Sequence, residues 1–94
     1  MIIKEFILET PATQSIDIGG NMPVGFSVAE KNGKLTLFVQ LEPDYPGTFN
    51  VDVIVVETEQ EYEKQETFVG TMVMSSSEIY HIFTKLHYIR AENL

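Results

Sequence analysis

Lys34-Leu35-Thr36-Leu37-Phe38-Val39-Gln40-Leu41 has a hydrophobic period of two, and that period decides the fold. Leu35, Leu37, Val39 and Leu41 fall on one face of an extended strand, while Lys34, Thr36 and Gln40 fall on the other. Just before it, Val24, Phe26 and Val28 alternate with Gly25, Ser27 and Ala29, and Asn32-Gly33 stands between the two runs. Both central residues of a type I′ turn need positive φ, which Asn and Gly tolerate. The pair therefore predicts a hairpin.

The same period recurs outward along the chain. Phe49, Val51, Val53 and Val55 point one way, and Asn50 and Asp52 point the other, where Ile54 and Val56 then follow. Apolar side chains on both faces at that far end imply that both faces are covered there. Further strands are predicted over residues 2–9, 14–18, 67–74 and 78–85. Thr10-Pro11-Ala12, residues 19–23 (Gly-Gly-Asn-Met-Pro), residues 43–47 (Pro-Asp-Tyr-Pro-Gly) and Ser75-Ser76-Ser77 supply turn chemistry between them. About seven short strands with such breaks predict an all-β antiparallel sandwich or small barrel, its core built on Phe26, Val28, Leu35, Leu37, Val39, Val51, Val53 and Val55. Residues 58–65, rich in Glu, Gln and Lys, form either a short helical turn or a long polar hairpin loop.

Residues 1–94 read as one acidic β domain, with no internal repeat and no linker. Apolar residues make up 44% of the chain, enough for a packed core. The absence of cysteine excludes disulfides, thiolate zinc sites and a cysteine nucleophile. Six Lys and Arg against fourteen Asp and Glu give a net charge of −8, which argues against direct nucleic-acid binding, because phosphate is held by Lys and Arg. The apolar start Met1-Ile2-Ile3 is broken by charges at Lys4, Glu5 and Glu9, which does not fit a secretion signal, and no run is long enough to span a membrane. The expectation is a cytoplasmic protein, in the host cytoplasm if viral.

The residues with chemistry to offer are few. His81 and His87 would need carboxylates to complete a metal site, and Glu78 falls on the opposite strand face from His81. Ser75-Ser76-Ser77 lacks a nucleophile-elbow context, and Gly19-Gly20 lacks the lysine and helix of a phosphate loop. Glu42 and Asp44 lack the spacing of a calcium loop. No enzymatic activity, metal or cofactor is expected. Phe38, on the polar face of its strand, is either covered by the chain's own N-terminal strand or part of a self-association surface. Tyr45 and Tyr62, in loops, are contact candidates, since aromatic residues are enriched at interfaces.

Glu57, Glu59, Glu61, Glu63 and Glu66 lie close together, offset only by Lys64. If the stretch is extended, the first four share a face at about 6.8 Å intervals, roughly every second phosphate of a DNA strand. Such a row would attract a basic groove, with Tyr62 as an anchor. The ordinary counterpart is an acidic loop that is merely solvated.

Several short features occur in a recognisable order: Gln14-Ser15-Ile16-Asp17-Ile18, a Gly/Pro loop, Phe26-Ser27-Val28, Asn32-Gly33, a Leu-rich strand ending near Pro43, Phe68-Val69-Gly70-Thr71 and Tyr80-His81-Ile82-Phe83. Across residues 2–85 this resembles a family of small phage and prophage proteins of unknown function, although the chain lacks that family's tryptophans. The resemblance implies a β-rich accessory protein and, by association, an inhibitor of host nucleic-acid-handling or defence machinery of the anti-CRISPR kind. Its target would be a protein with a basic surface, such as the positively charged channel of a CRISPR effector. The alternative is a virion or assembly component that forms homo-oligomers through its β edges.

Overall fold

The structure, a computed structural model, describes residues 1–19, 21–42, 47–62 and 67–90. Among the described residues seven strands follow one another: β1 (Ile2–Ile7), β2 (Ala12–Asp17), β3 (Met22–Lys31), β4 (Lys34–Glu42), β5 (Thr48–Glu57), β6 (Thr67–Val73) and β7 (Ile79–Arg90). They form two antiparallel sheets, ordered β1-β4-β3 and β2-β5-β7-β6. The sheets pack face to face as a sandwich and do not close into a barrel. Among the described residues there is no helix, so neither residues 58–62 nor any other described stretch takes the helical alternative.

The β3–β4 hairpin turns where the sequence places it. Asn32 and Gly33 have φ of 53° and 76°, and Lys31 pairs with Lys34 across the turn, as a type I′ geometry requires. This register sends Leu35, Leu37, Val39 and Leu41 inward, each 1% exposed or less, against Val51, Val53 and Val55 of β5 and Ile82 of β7. Phe26 and Val28 are only half-buried and pack against the buried core from outside it, which corrects their assignment to the core. They sit on β3, an edge strand, and cover the margin of the core instead of its centre.

The two sides of the sandwich differ. On one, β3 packs over β6, and a Cβ added at Gly70 would make ordinary contact with the Val28 Cγ2 methyl at 3.6 Å. Glu30 at the end of β3 reinforces that side, accepting the Ser75 backbone N–H at 2.6 Å and the Ser75 hydroxyl at 2.7 Å. On the other, the edges of β1 and β2 leave a cleft of about 800 Å³ with Phe6 and Ile16 among its lining. β1 lies beside β4 in the same sheet, not on top of it, so it does not cover Phe38. That ring is half-buried on the outer face, between Glu5 and Ser27.

The Glu30 contact predicts an acid-sensitive seam. Its carboxyl is held below the ordinary 4.5, first by the Ser75 backbone N–H and then by the Ser75 hydroxyl. Glu78 is lowered likewise, by the Tyr80 hydroxyl and then Ser76. A carboxylate whose pKa is lower in the folded chain contributes stability above its unfolded pKa and loses it as pH falls through the folded one. Thermal midpoints should therefore drop as pH is taken below the ordinary carboxylate range, and Glu30→Gln should flatten part of that drop. A profile identical to that of the parent chain would show that the seam does not titrate with folding.

Candidate functional site

The outer face of the β2-β5-β7-β6 sheet is apolar near its β6 side. Ile54 of β5 pairs with Phe83 of β7, and Phe83 with Phe68 of β6; one row further, Val56 pairs with His81, and His81 with Thr71. Strict alternation would put Phe68 and Thr71 on opposite faces. A register shift between Phe68 and Gly70 inserts one extra residue, a β-bulge, and brings both to the outer face.

Ile54 and Val56 point to that outer face, yet they are only 7% and 3% exposed. The chain beyond β5 covers them. Glu59 takes φ of 68°, the Gln60 N–H donates to the Glu57 carbonyl at 3.1 Å, and the Glu57 N–H donates to Gln60 Oε1 at 2.8 Å. That turn sends the chain back, and the Tyr62 ring lies against Phe83 with centroids 4.8 Å apart. Phe68 meets the same ring at 5.3 Å. His81 sits beneath, its Nε2 2.8 Å from the Thr58 hydroxyl and its Nδ1 2.8 Å from the Thr71 hydroxyl. The imidazole thus ties the turn to β6.

Between the turn and the sheet lies a recess of about 440 Å³, lined by Glu57, Thr58, Glu59, Tyr62, Phe68 and Phe83 among others. Tyr62 and Phe68 remain 49% and 57% exposed, and Glu57, Glu59 and Glu61 are exposed. The arrangement offers aromatic ring surface beside carboxylates.

The straight acidic row expected from the sequence is not formed. β5 ends at Glu57 and the chain turns at Thr58 and Glu59, so Glu57, Glu59 and Glu61 do not share one strand face at a regular interval. Glu63, Glu66 and Tyr45 lie outside the described residues. Phe38 is on the other sheet, away from this site. Phe68, Phe83 and His81 belong to the site; the sequence weighed His81 only as a metal ligand and quoted Phe68 and Phe83 only within the family resemblance. The signal for their role here was the apolar pair Ile54 and Val56, which marked the outer face as covered.

His87 is elsewhere on this sheet, its Nε2 2.7 Å from Asp52 Oδ2, with both side chains about two-fifths exposed. Among the described residues, no three of His, Asp and Glu converge as metal ligands. Ser75, Ser76 and Ser77 make a turn, with Ser77 at φ of 77° and Ser75 engaged by Glu30.

Fold and site together define a small β-sandwich with an aromatic, acid-rimmed recess on one outer face. The chain belongs to the family described as Domain of unknown function (DUF7352), which matches residues 1–90. The match spans the stretch that carried the phage likeness and holds no tie to phage. No curated protein and no solved structure matches the chain.

Proposed function

We propose that this domain is a non-enzymatic binding module that docks a basic surface of a partner protein through the 57–62 turn. One observation carries the reading: Tyr62, packed at a tilt against Phe83 yet half-exposed, stands with exposed Phe68 beside Glu57, Glu59 and Glu61. Aromatic anchors supply contact area, and carboxylates on a chain of net charge −8 steer a basic partner toward it. In its finer form, supported by the phage resemblance alone, the partner is a host nucleic-acid-handling or defence protein and the module is its cytoplasmic inhibitor. A regular phosphate-like spacing is no part of the proposal.

The test combines capture with a charge-only variant. Partners are retained from cell lysate, eluted by a salt gradient and identified, and the eluted protein is then used for kinetics. Replacing Glu57, Glu59, Glu61 and Glu63 with Gln keeps size and most hydrogen-bonding capacity. The association rate should fall severalfold at low salt, and the difference should shrink as salt screens the charges. A variant with an unchanged rate at low salt, or a lysate with no salt-eluted partner, would sink the reading.

A second reading, self-association, has its own observation. Ile2, Ile3 and Ile7 on β1 are 46%, 62% and 65% exposed, and β1 is an edge strand. If this edge joins copies, the mass in solution exceeds 10.7 kDa and Ile3→Lys returns it to the monomer. A parent chain that is monomeric at high concentration removes this alternative.

A further inference from the structure

We infer that the recess between the 57–62 turn and the β6–β7 face is an arginine-side-chain site, which takes the guanidinium of a partner's exposed arginine. The assignment rests on the binding-module reading above and names the chemical group bound. The lining decides the class. Tyr62 and Phe68 present half-exposed rings, Phe83 holds both in place at 4.8 and 5.3 Å, and Glu57 and Glu59 border the same space. Ring faces are electron-rich and attract cations, and carboxylates accept the N–H groups that a cation carries. An anion would meet the carboxylates with no Lys or Arg among the described lining residues to offset them.

Arginine fits better than lysine for a geometric reason. Its guanidinium is flat and weakly hydrated, so one face can stack on a ring while the edge donates to a carboxylate. An ammonium is compact and strongly hydrated, and it loses more on leaving water. The recess, about 440 Å³ and open to solvent on one side, has room for one such side chain. The floor is preorganised: the Thr58–His81–Thr71 contacts fix the start of the turn to β6, and the Phe68–Gly70 bulge turns Phe68 toward Phe83. A side chain entering the recess therefore meets walls already held in place.

The probe is N-acetyl-arginine amide, followed by NMR on the whole domain, with the citrulline and lysine analogues as comparisons. Citrulline keeps the shape and removes the charge. The expected result is a saturable shift of the Tyr62, Phe68 and Phe83 ring signals with arginine, weaker binding with lysine, and no saturation with citrulline. Phe68→Leu changes an exposed edge position, so the fold survives, and it should weaken arginine binding about two- to fivefold. Equal response to citrulline, shifts that map away from the recess, or full binding by Phe68→Leu would overturn the assignment. Failure here is distinguishable from failure of the module itself. If the salt-eluted partner binds in a Glu-dependent manner while arginine leaves the rings unmoved, the acidic turn binds and the recess assignment is wrong.

Discussion

Leu37→Ala should lower the free energy of unfolding by about 2–5 kcal/mol, the range for a buried leucine that leaves a cavity behind. Leu37 is 0% exposed and stands on β4, the middle strand of its sheet, flanked in register by Phe6 and Val28. Both neighbours are held by strand hydrogen bonds, and the β5 valines pack from the opposite sheet. None of these groups can move far without breaking a ladder, so the space stays open and the cost lies toward the upper part of the range. Val73→Thr, at a position 64% exposed, is the comparison and should change stability by less than about 0.5 kcal/mol. Urea titration reads both as midpoint shifts at constant slope. Near-neutral behaviour of Leu37→Ala would mean that the β4 register is displaced by one residue, which would exchange its two faces.

Much of this fold is legible in alternation, because a strand buried on one face writes that face into every second residue. β4 and β5 read cleanly, and even the cover over Ile54 and Val56 is visible as apolar residues on both faces. Strand partnership is not visible in the same way. β1 and β2 are neighbours in sequence, yet one pairs with β4 and the other with β5, a choice made by contacts between distant residues. The site is harder still. Phe68 and Thr71 share a face only because a bulge interrupts the alternation; Gly70 within the strand is the sole residue that hints at it, and a strand glycine equally marks a close backbone approach. The acidic row fails for a comparable reason: Glu59 adopts a left-handed conformation that glutamate rarely takes, so an extended reading was the natural one. What composition did reveal, a cluster of carboxylates with a tyrosine among them, survives as chemistry while its geometry changes.

The glycines separate two kinds of demand, conformational and steric, and substituting them should have unequal effects. A Cβ added at Gly33 would meet nothing within 4 Å, so space is no obstacle there. Its φ of 76° is the obstacle, since an L side chain in the left-handed region sets Cβ against the following carbonyl. Gly33→Ala should therefore cost about 1–2 kcal/mol with no core contact altered. Gly33→Asn should cost less, because asparagine tolerates that region, as Asn32 does at φ of 53° one residue earlier. Gly25 reverses the terms. Its conformation is ordinary, but a Cβ would collide with Gln40 Oε1. That atom is the end of a flexible, exposed side chain that can swing away, and alanine also narrows the unfolded ensemble, a gain of about 0.4–1 kcal/mol. Gly25→Ala should then lie within about 0.5 kcal/mol of the parent chain. Measured by urea titration, the order from most to least stable should be Gly25→Ala, Gly33→Asn, Gly33→Ala. A neutral Gly33→Ala would mean that the hairpin does not close through two left-handed residues, and the turn that sets the β3–β4 register would have to be another one.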